Sequence, residues 1–542
     1  MTYVLTVVRF ILTVIVALLA LLLTGCTVGP KYIKPTVLTT PKYKEEAPTS
    51  FNQSGQWQPA RPGDQSSRGN WWEIFGDSEL NKLEEQIAGS NENLKAAEAR
   101  FRQARAAIRF NRASQFPTIS TAPSASYVKS SDFSPNFPSR VEQSGKGDFV
   151  LPFDLSYELD LWGRVRRSVA AAREEAQATA ADYETAKLSL QAELAMDYFE
   201  LRSADAQKQL LDDTVKAYTN NVQLTLNRFN RGVAPKADLA QAQTQLDTTR
   251  VQDTDIAVQR AQFEHAIAIL IGKPPAEFSL ATAPLNYQPP TTPIGLPSEL
   301  LQRRPDIAAA ERRVAEANQQ IGIARAAYFP TVNLDGTVGF AGSQGSNWFS
   351  WPSGFWAVGP ALAETLFDAG RRRATSESAR ANFDAAVASY RQTSLTAFQE
   401  VEDNVAALRI LENETQQQQQ AVASSQESLQ LFTNRYKGGV DTYLQVITAQ
   451  TIELANERNA IDILRRRLDA SVLLIKALGG GWNVSNLPTF GASSGRAGDH
   501  QNVRGGSTNL ARSRGRNVLG HNARPQKSRQ SSDRPRNGIL GD

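Results

Sequence analysis

The chain has 542 residues, a formal net charge of +4, one cysteine and three histidines. The single cysteine excludes an internal disulfide and a cysteine metal cluster. His265 stands alone, while His500 and His521 lie in a low-complexity tail, so the histidines offer no metal or catalytic cluster.

Residues 1–25 are predicted to be an export signal. Met1–Leu23 is apolar apart from Arg9 and a few hydroxyl groups, and its core spans 11–23. The segment ends in Leu-Thr-Gly-Cys26, which resembles the bacterial lipobox, in which the cysteine becomes the N-terminus and is acylated. An ordinary cleaved signal and a retained membrane helix are the alternatives, but the small residues before Cys26 favour lipidation there.

The residue after the cysteine indicates the membrane. An aspartate there would favour retention at the inner membrane, but the chain has Thr27, so an outer-membrane location is expected. No later stretch is apolar enough for a spanning helix. Residues 26–70 are rich in Pro, Ser, Thr and Gln and predict an extended lead from the anchor. The predicted domains then follow: a first repeat at 71–275, a linker at 276–303, a second repeat at 304–481 and a tail at 482–542.

Two halves of the chain share the spacing of their glycines. Gly163, Gly232 and Gly272 recur as Gly370, Gly439 and Gly479, always 207 residues later (370 − 163, 439 − 232 and 479 − 272). An offset held over such a distance predicts an internal two-fold repeat of rigid rods with fixed lengths.

The rods are predicted to be helices. Residues 163–232 lack proline and are rich in Ala, Leu, Gln, Glu and Arg, which favour helix; the rod would be about 100 Å long. The shorter return limb spans 235–271, and its second copy starts with Asp441 as the expected N-cap. The second copy carries a seven-residue apolar repeat, which predicts a coiled-coil seam. At this point a soluble antiparallel coiled coil remains an equal alternative.

Another pair of rods leads into predicted strands. Rods at 77–112 and 304–327 each run into a Phe-Pro-Thr sequence, after which the apolar period changes to two. Two strands are predicted in each half, and the clearest one spans 150–161. The four strands are listed as 119–127, 150–161, the stretch from Val332 to Phe340, and 355–367.

The clearest strand has two chemically different faces. Six apolar side chains alternate with polar ones that include Asp154, Glu158 and Asp160. A half-buried strand of a soluble sheet shows the same alternation, but the neighbouring long rods favour a membrane barrel with these carboxylates in its lumen. Four strands cannot close a barrel, so more than one chain must contribute.

Several motifs at the correct spacing resemble the TolC-like outer-membrane efflux channels, in the lipidated branch that serves tripartite RND pumps. The match covers roughly 65–485. The motifs are the lipobox, Trp72-Glu-Ile-Phe-Gly-Asp77, Leu296-Pro-Ser-Glu-Leu-Leu-Gln-Arg-Arg-Pro-Asp-Ile307, Gly322-Ile-Ala-Arg-Ala-Ala-Tyr-Phe-Pro330, Leu366-Phe-Asp-Ala-Gly370 and the two Arg-aromatic-x-x-Gly-Val turns.

The resemblance implies an α+β membrane protein that assembles as a homotrimer. Twelve strands, four from each chain, would form one outer-membrane β-barrel above a long periplasmic barrel of antiparallel coiled-coil helices. The expected partners are a periplasmic adaptor, an inner-membrane RND transporter and outer-membrane lipid. By this resemblance the adaptor contacts the two helical turns, at Arg228, Gly232, Val233, Arg435, Gly439 and Val440; by sequence alone, a plain turn with a glycine C-cap is the competing interpretation.

Relatives commonly place acidic residues at a gate near these turns, in a sequence like Asp-Ala-Gln. This chain has Thr448-Ala-Gln450 instead, so Asp238 and Asp441, with Tyr436 as a closing partner, are the candidate gate residues. The Gly-Lys pairs at 145–146 and 272–273 lack the other residues of a phosphate loop, so neither a cofactor nor an enzyme activity is expected. A type I protein-secretion duct and a lipid-anchored periplasmic scaffold remain the alternative functions.

The C-terminal tail accounts for the positive net charge. Residues 491–542 contain ten Arg or Lys and three Asp, a charge of +7, so the rest of the chain carries 4 − 7 = −3. Few apolar residues predict disorder, and in an exported protein solvation or acidic glycans are expected rather than nucleic acid.

Overall fold

The computed structural model describes residues 27–46, 48, 70–129, 146–292 and 297–490. The main helices are α1 (Ser78–Ser90), α2 (Glu92–Ala113), α3 (Arg164–Asn230), α4 (Lys236–Leu270), α5 (Pro305–Ala326), α6 (Arg371–Lys437) and α7 (Tyr443–Ala477). The strands are β1 (Thr118–Ser120), β2 (Ser124–Val128), β3 (Lys146–Glu158), β4 (Thr331–Gly342) and β5 (Gly354–Ala363). Cys26 and the segment 491–542 lie outside the described residues.

Two long helical hairpins dominate the structure. Helices α3 and α6 each contain 67 residues, and α4 and α7 each contain 35. The starts of the long pair and of the short pair differ by the same offset, since 371 − 164 = 207 and 443 − 236 = 207. At 1.5 Å per residue the long helices extend for about 100 Å. The predicted rods are therefore continuous helices of the predicted length.

Helix α3 is the central packing element. It contacts α1, α2, α4, α5 and α7. Where it meets α1, the fully buried side chains Leu80, Ile87, Tyr198 and Phe199 belong to one large apolar cluster. Burial of this kind stabilises by roughly 1.5–3 kcal/mol for each large apolar side chain. Five of the other main helices therefore pack along α3, while α6 packs on α5 and α7.

The predicted rod at 77–112 is broken into α1 and α2, so the prediction of one helix was wrong. The break lies at Asn91, whose side chain accepts a hydrogen bond from the Leu94 amide at 2.9 Å and caps α2. The same side chain donates to the Leu270 carbonyl at 2.8 Å, which ties the break to the end of α4. The N-cap at Asn91 therefore starts a new helix, although the apolar periodicity of the sequence continues through this position.

The predicted lead from the anchor is extended and packs onto the helices. The Val28 amide donates to the Trp162 carbonyl at 3.1 Å, just before α3 begins. Farther along, the Lys44 and Glu45 amides donate to the Glu402 carboxylate at 2.7 and 2.8 Å. Glu402 lies 402 − 371 = 31 residues into α6, or about 45 Å from its start. The lead therefore follows the helices for a long distance away from the strands.

The predicted tail starts too early. Trp482 is 9% exposed and packs against Ala181, Ala308 and Ala309. The Gln177 side-chain amide also donates to the Pro488 carbonyl at 3.1 Å. Disorder from residue 482 onward was therefore the wrong prediction for 482–490, because an apolar anchor holds this stretch against α3 and α5. Within the described residues, no helix is both long enough and apolar enough to cross a membrane.

A buried carboxyl group in α1 gives a stability prediction. Glu84 is fully buried on the same helix face as Leu80, Leu83 and Ile87, and its two oxygens have no hydrogen-bond partner. Burial raises the pKa of Glu84 well above its usual value. The stability associated with this group is therefore fully present below the unfolded-state pKa, about 4.3, and is lost as the pH rises toward the folded-state pKa.

We expect Glu84→Leu to stabilise the protein by about 1–3 kcal/mol at pH 8 and by less at pH 5, because the variant removes the cost of burying the carboxyl group. Thermal unfolding followed by circular dichroism at both pH values measures the difference. Glu85→Leu, at an exposed neighbouring position, is the control and should leave the midpoint nearly unchanged. Equal gains at both pH values would contradict the assignment.

Candidate functional sites: the sheet and the hairpin tips

The strands form one antiparallel sheet in the order β1–β3–β4–β5, with β2 also paired to β3. β1 and β2 are two pieces of the predicted strand at 119–127, and the gap between them contains Pro123, which has no N–H to donate. β5 tolerates Pro360 because it has a neighbour on one side only. In the described part of the chain, the sheet is therefore open along β5 and along β1 and β2.

The pairing register separates the apolar side chains from the polar ones. Phe153 lies opposite Val338, and the next residue, Asp154, lies opposite Thr337. Because successive residues of a strand point to opposite faces, residues at alternate positions share a face. One face has Leu151, Phe153, Leu155, Tyr157, Leu334, Val338 and Phe340; the other has Asp154, Ser156, Glu158, Asn333, Asp335 and Thr337, with Val150 and Pro152 farther along β3. The predicted alternation of β3 and β4 is confirmed.

The apolar face is open to its surroundings in the single chain. Phe153 is 44% exposed and Val338 is 57% exposed. Trp356 of β5, which lies opposite Val338 of β4, is 77% exposed. On the polar face, the Ser156 hydroxyl donates to the Asp335 carboxylate at 2.8 Å. A continuous apolar surface of this kind indicates contact with a membrane or with another chain.

The prediction that Asp160 belongs to the same strand as Asp154 was wrong. β3 ends at Glu158, and Asp160 accepts hydrogen bonds from the Val165 and Arg166 amides at 3.0 and 2.8 Å. Its carboxylate therefore caps α3, where unpaired amides and the helix dipole favour an anion. Glu158 pairs with the Arg164 guanidinium at 2.9 Å. Asp154 alone of the three predicted residues lies well inside the strand.

Both predicted hairpin tips are glycine-terminated helix ends. After α3, Gly232 has φ 72° and the Val233 amide donates to the Arg228 carbonyl at 2.9 Å. After α6, Gly439 has φ 76° and the Val440 amide donates to the Arg435 carbonyl at 3.0 Å. A positive φ favours glycine at this position, and the bond from the following amide is that of a Schellman motif. Val233 and Val440 are exposed, at 62% and 70%.

The structure brings the two tips together through Arg228. Its guanidinium donates to the Lys437 carbonyl at 3.1 Å and lies over the Tyr436 ring, 4.7 Å from the ring centroid. Tyr436 is 3% exposed and packs on Tyr443 with a centroid distance of 5.0 Å. Burial, with the charge of the nearby Asp238 adding to it, raises the pKa of Tyr436. Two of the predicted gate residues, Asp238 and Tyr436, therefore lie close together.

The third predicted gate residue, Asp441, is held in an ion pair. Its carboxylate accepts hydrogen bonds from the Arg435 Nε and Nη2 atoms at 2.5 and 3.2 Å. The bond from Arg435 lowers the pKa of Asp441. Thr442, not Asp441, is the N-cap residue of α7, so the predicted N-cap was wrong: the arginine six residues earlier competes for the carboxylate.

Sequence reasoning missed the contact between Arg228 and Tyr436. The two residues are 436 − 228 = 208 positions apart and belong to different hairpins, and no local pattern connects them. The only available signal was the internal offset, which places both hairpin ends at equivalent positions. Across the described ranges, no group of three or more His, Cys, Asp or Glu side chains is arranged to hold a metal ion.

Comparison with known proteins identifies the family of this chain. The profile described as outer membrane efflux protein matches residues 83–273 and 296–480. The chain is 32% identical over 476 residues to the probable efflux pump outer membrane protein SepC of Pseudomonas putida, covering 87% of this chain and 97% of SepC. It is 33% identical over 469 residues to the outer membrane protein OprJ of Pseudomonas aeruginosa, covering 86% and 95%.

Solved structures also match. The outer-membrane channel OprN superposes with a TM-score of 0.76 at 31% identity, over 84% of this chain and 100% of OprN. The Campylobacter jejuni CmeC outer membrane channel superposes with a TM-score of 0.78 at 25% identity, over 85% and 96%. The chain therefore belongs to the outer membrane efflux protein family. It is an outer-membrane efflux channel with a periplasmic helical domain.

The contact between the tips leads to a prediction about conductance. We expect Arg228→Ala to increase the open probability in planar bilayers several-fold, because it removes a cation–π contact and a hydrogen bond between the hairpins, each contributing about 1 kcal/mol. Arg231→Ala, at an exposed position in the same turn, is the matched control. If both variants conduct like the unmodified protein, the contact does not restrain the tips.

Proposed function

We propose that the protein is the passive exit duct of a tripartite pump and works as a homotrimer. The observation that carries this proposal is the open sheet, with one apolar face and two unpaired edges, in an outer-membrane protein. Lipid offers no hydrogen bonds to a free edge, so the edges must pair with other copies. Three chains with four spanning strands each, counting β1 and β2 as one broken strand, give the twelve-stranded barrel.

The two halves arise in this proposal from an internal duplication. The efflux-family profile matches once in each half, at 83–273 and at 296–480. The equal lengths of α3 and α6, and of α4 and α7, support the same origin. Two hairpins per chain and three chains would surround the periplasmic duct with six similar hairpins.

The periplasmic adaptor is proposed to dock on the six tips. Each tip presents an exposed valine, Val233 or Val440, beside a glycine whose positive φ makes the turn narrow. An exposed apolar side chain at the end of a helical hairpin suits contact with another helical hairpin. Arg228, Gly232, Arg435 and Gly439 shape these turns and complete the proposed contact set.

The gate is proposed to lie just inside the tips, at Tyr436, Asp238 and Asp441. The Arg435–Asp441 ion pair replaces part of the free carboxylate ring expected of relatives, since a paired carboxylate repels its symmetry copies less. The gate would therefore be held by pairs within each chain as well as by packing of Tyr436 on Tyr443.

The energy for transport is assigned to partners. Relatives are named as outer-membrane parts of efflux pumps, including a toluene pump and an antibiotic pump. We therefore propose that an inner-membrane RND transporter drives small, poorly polar molecules through the adaptor into this duct. The polar sheet face, with Asp154 and Glu158, would line the barrel lumen and keep it filled with water.

Lipidation at Cys26 completes the proposal. The next residue, Thr27, lies against Gly163, and Val28 bonds to Trp162, so the chain leaves the signal at the boundary between strands and helices. This boundary is the edge of the membrane in the proposed trimer. An acyl chain on Cys26 would therefore enter the periplasmic leaflet without any extension of the lead.

Neighbouring substitutions in β3 test which face meets lipid. Phe153→Arg should destabilise the assembled trimer by about 2–4 kcal/mol per chain, because it places a charge in the apolar band. Asp154→Arg, one residue later, should leave assembly intact and shift the channel from cation toward anion preference. Heat-labile trimers on gels and reversal potentials in planar bilayers measure the two effects. The opposite pattern, with Asp154→Arg preventing assembly, would reverse the faces.

A deletion strain tests the cargo. Loss of the gene should lower tolerance to organic solvents and antibiotics while leaving secreted proteins unchanged, and the unmodified gene should restore tolerance. A strain that loses a secreted protein and keeps its tolerance would indicate protein secretion instead.

Labelling tests the lipid anchor. In the deletion strain, a Cys26→Ala allele should lose palmitate labelling and globomycin-sensitive processing, whereas labelling that persists would exclude Cys26 as the acylated residue.

A further inference from the structure

The four transitions between helices and strands lie at one end of the long helices. α2 ends at Ala113 before β1, α5 ends at Ala326 before β4, β3 ends at Glu158 before α3, and β5 ends at Ala363 before α6. Arginines cluster at these four transitions. We call them the arginine collar: Arg109, Arg112, Arg164, Arg166, Arg167, Arg325, Arg371, Arg372 and Arg373.

The collar carries more positive charge than its own carboxylates balance. The segments 109–118, 158–168, 322–331 and 363–374 contain these nine arginines, no lysine, and four carboxylates (Glu158, Asp160, Glu364 and Asp368). The difference is 9 − 4 = +5 for each chain, and Glu377, three residues beyond the last segment, reduces it to +4 because it pairs with Arg373 at 3.0 Å. The remainder of the chain before the tail is acidic overall, so this excess is local.

Three of the carboxylates are already paired. Glu158 holds Arg164, Asp160 holds Arg166 at 3.1 Å, and Asp368 holds Arg372 at 2.7 Å. Among the described residues, no ion pair links Arg109, Arg112, Arg325 or Arg371 to a carboxylate. Arg109 and Arg371 are also exposed. In the single chain the collar therefore presents guanidinium groups that no carboxylate neutralises. Arg109 and Arg371 lie next to the two open edges of the sheet, where copies of the proposed trimer meet.

The long helices place arginines where the helix dipole opposes them. α3 begins Arg-Val-Arg-Arg and α6 begins Arg-Arg-Arg-Ala, and neither has an acidic residue in its first turn. The amino end of a helix carries a partial positive charge, so cations there are unfavourable and anions are favoured. Carboxylates pair with two of the three arginines at each helix start, Glu158 and Asp160 at α3 and Asp368 and Glu377 at α6. One arginine at each start, Arg167 or Arg371, is left without a carboxylate. Each start would therefore be stabilised by a further anion.

Arg167 is a buried member of the collar without a carboxylate. Its side chain belongs to a residue only 8% exposed, and its Nε atom has no hydrogen-bond partner. Nη1 donates to the Gln319 side chain at 2.8 Å, and Nη2 donates to the Pro30 carbonyl at 3.4 Å. Burial and the charge of Arg325 lower the pKa of Arg167. A cation buried beside another cation makes the local electrostatic potential more positive, which favours binding of an anion.

Exposed apolar side chains accompany the collar. Phe110, Phe116, Leu366 and Phe367 are between 61% and 89% exposed at the same transitions. One helical turn spans about 5 Å along the helix axis, and the headgroup layer on each side of a bilayer is about 5–7 Å thick. Guanidinium groups here are therefore at headgroup depth, while the apolar side chains reach the acyl boundary.

We propose that the arginine collar binds the phosphate groups of anionic phospholipids in the periplasmic leaflet of the outer membrane. The proposal uses the membrane placement of the sheet given above. The lipid phosphate supplies the negative charge that the collar lacks, and its acyl chains cover the adjacent aromatic residues. A ring of such lipids would hold the channel at a fixed depth.

Quenching by brominated lipids provides the test, because Trp162 lies at the collar, stacked on Phe329 at 4.7 Å. Its contribution is the part of the quenching that is lost in W162F, since Trp356 on the exposed apolar face is quenched as well. The full-length protein is reconstituted with brominated phosphatidylglycerol or brominated phosphatidylcholine, and the ratio of their association constants is measured. We expect a clear preference for phosphatidylglycerol. In R109Q/R371Q this preference should fall by about fivefold for each arginine removed, and high salt should reduce it in the unmodified protein.

The matched control is R100Q/R380Q, which removes exposed arginines from the same two helices, each nine positions farther from the strands (109 − 100 and 380 − 371). It should keep the preference, and R109K/R371K should also keep it, because the charge is retained. Absence of a preference in the unmodified protein, or an equal loss in R100Q/R380Q, would overturn the proposal. Single-channel conductance of each variant distinguishes failure of lipid binding from failure of the proposed channel function. R109Q/R371Q should conduct normally even when it no longer selects the lipid.

Discussion

The backbone groups along the two open edges of the sheet impose the strongest constraint on this molecule. β5 pairs only with β4, and β1 and β2 pair only with β3, so a row of N–H and C=O groups faces outward on each side. In lipid each such group costs several kcal/mol when it is left unpaired. In the proposed trimer, association with further copies would remove that cost by closing the sheet.

The fixed helix lengths are a consequence of the same closure. All strands must enter the membrane at one level, so every helix that leads to a strand or away from one must end at that level. Inserting one residue in α3 would move its far end by about 1.5 Å and rotate it by about 100°. Such a change would turn the tip at Gly232 away from Tyr436. The shared offset of 207 residues therefore belongs to the geometry of the duct.

Both halves also solve the strand-to-helix transition with the same chemistry. Asp160 accepts from the first amides of α3, and Asp368 accepts from the Gly370 and Arg372 amides at 3.1 Å before α6. The two aspartates are 368 − 160 = 208 residues apart, one more than the helical offset. The two aspartates thus cap their helices from positions that differ by one residue. A flexible side chain can span one extra residue, whereas the helices keep the same length in both halves.

Regular features were predictable from the sequence, and capping and cross-hairpin contacts were not. Equal glycine spacing predicted the helix lengths, and period-two alternation predicted the faces of β3 and β4, because both patterns repeat along the chain. Asn91 and Asp160 defeated the same reasoning: each belongs to a periodic stretch, yet its side chain binds nearby backbone amides more favourably than it continues the pattern. Trp482 was missed because a single apolar residue in a polar stretch has no period.

The tips show what the two halves do not share. Equal lengths bring Arg228 and Tyr436 to the same level, but the second hairpin has the Arg435–Asp441 pair, whereas the first has Ala234 at the position equivalent to Asp441 (441 − 207 = 234). In the proposed trimer, an adaptor would therefore meet two kinds of hairpin tip in alternation. Geometry fixes the lengths of the hairpins and leaves their side chains free to differ.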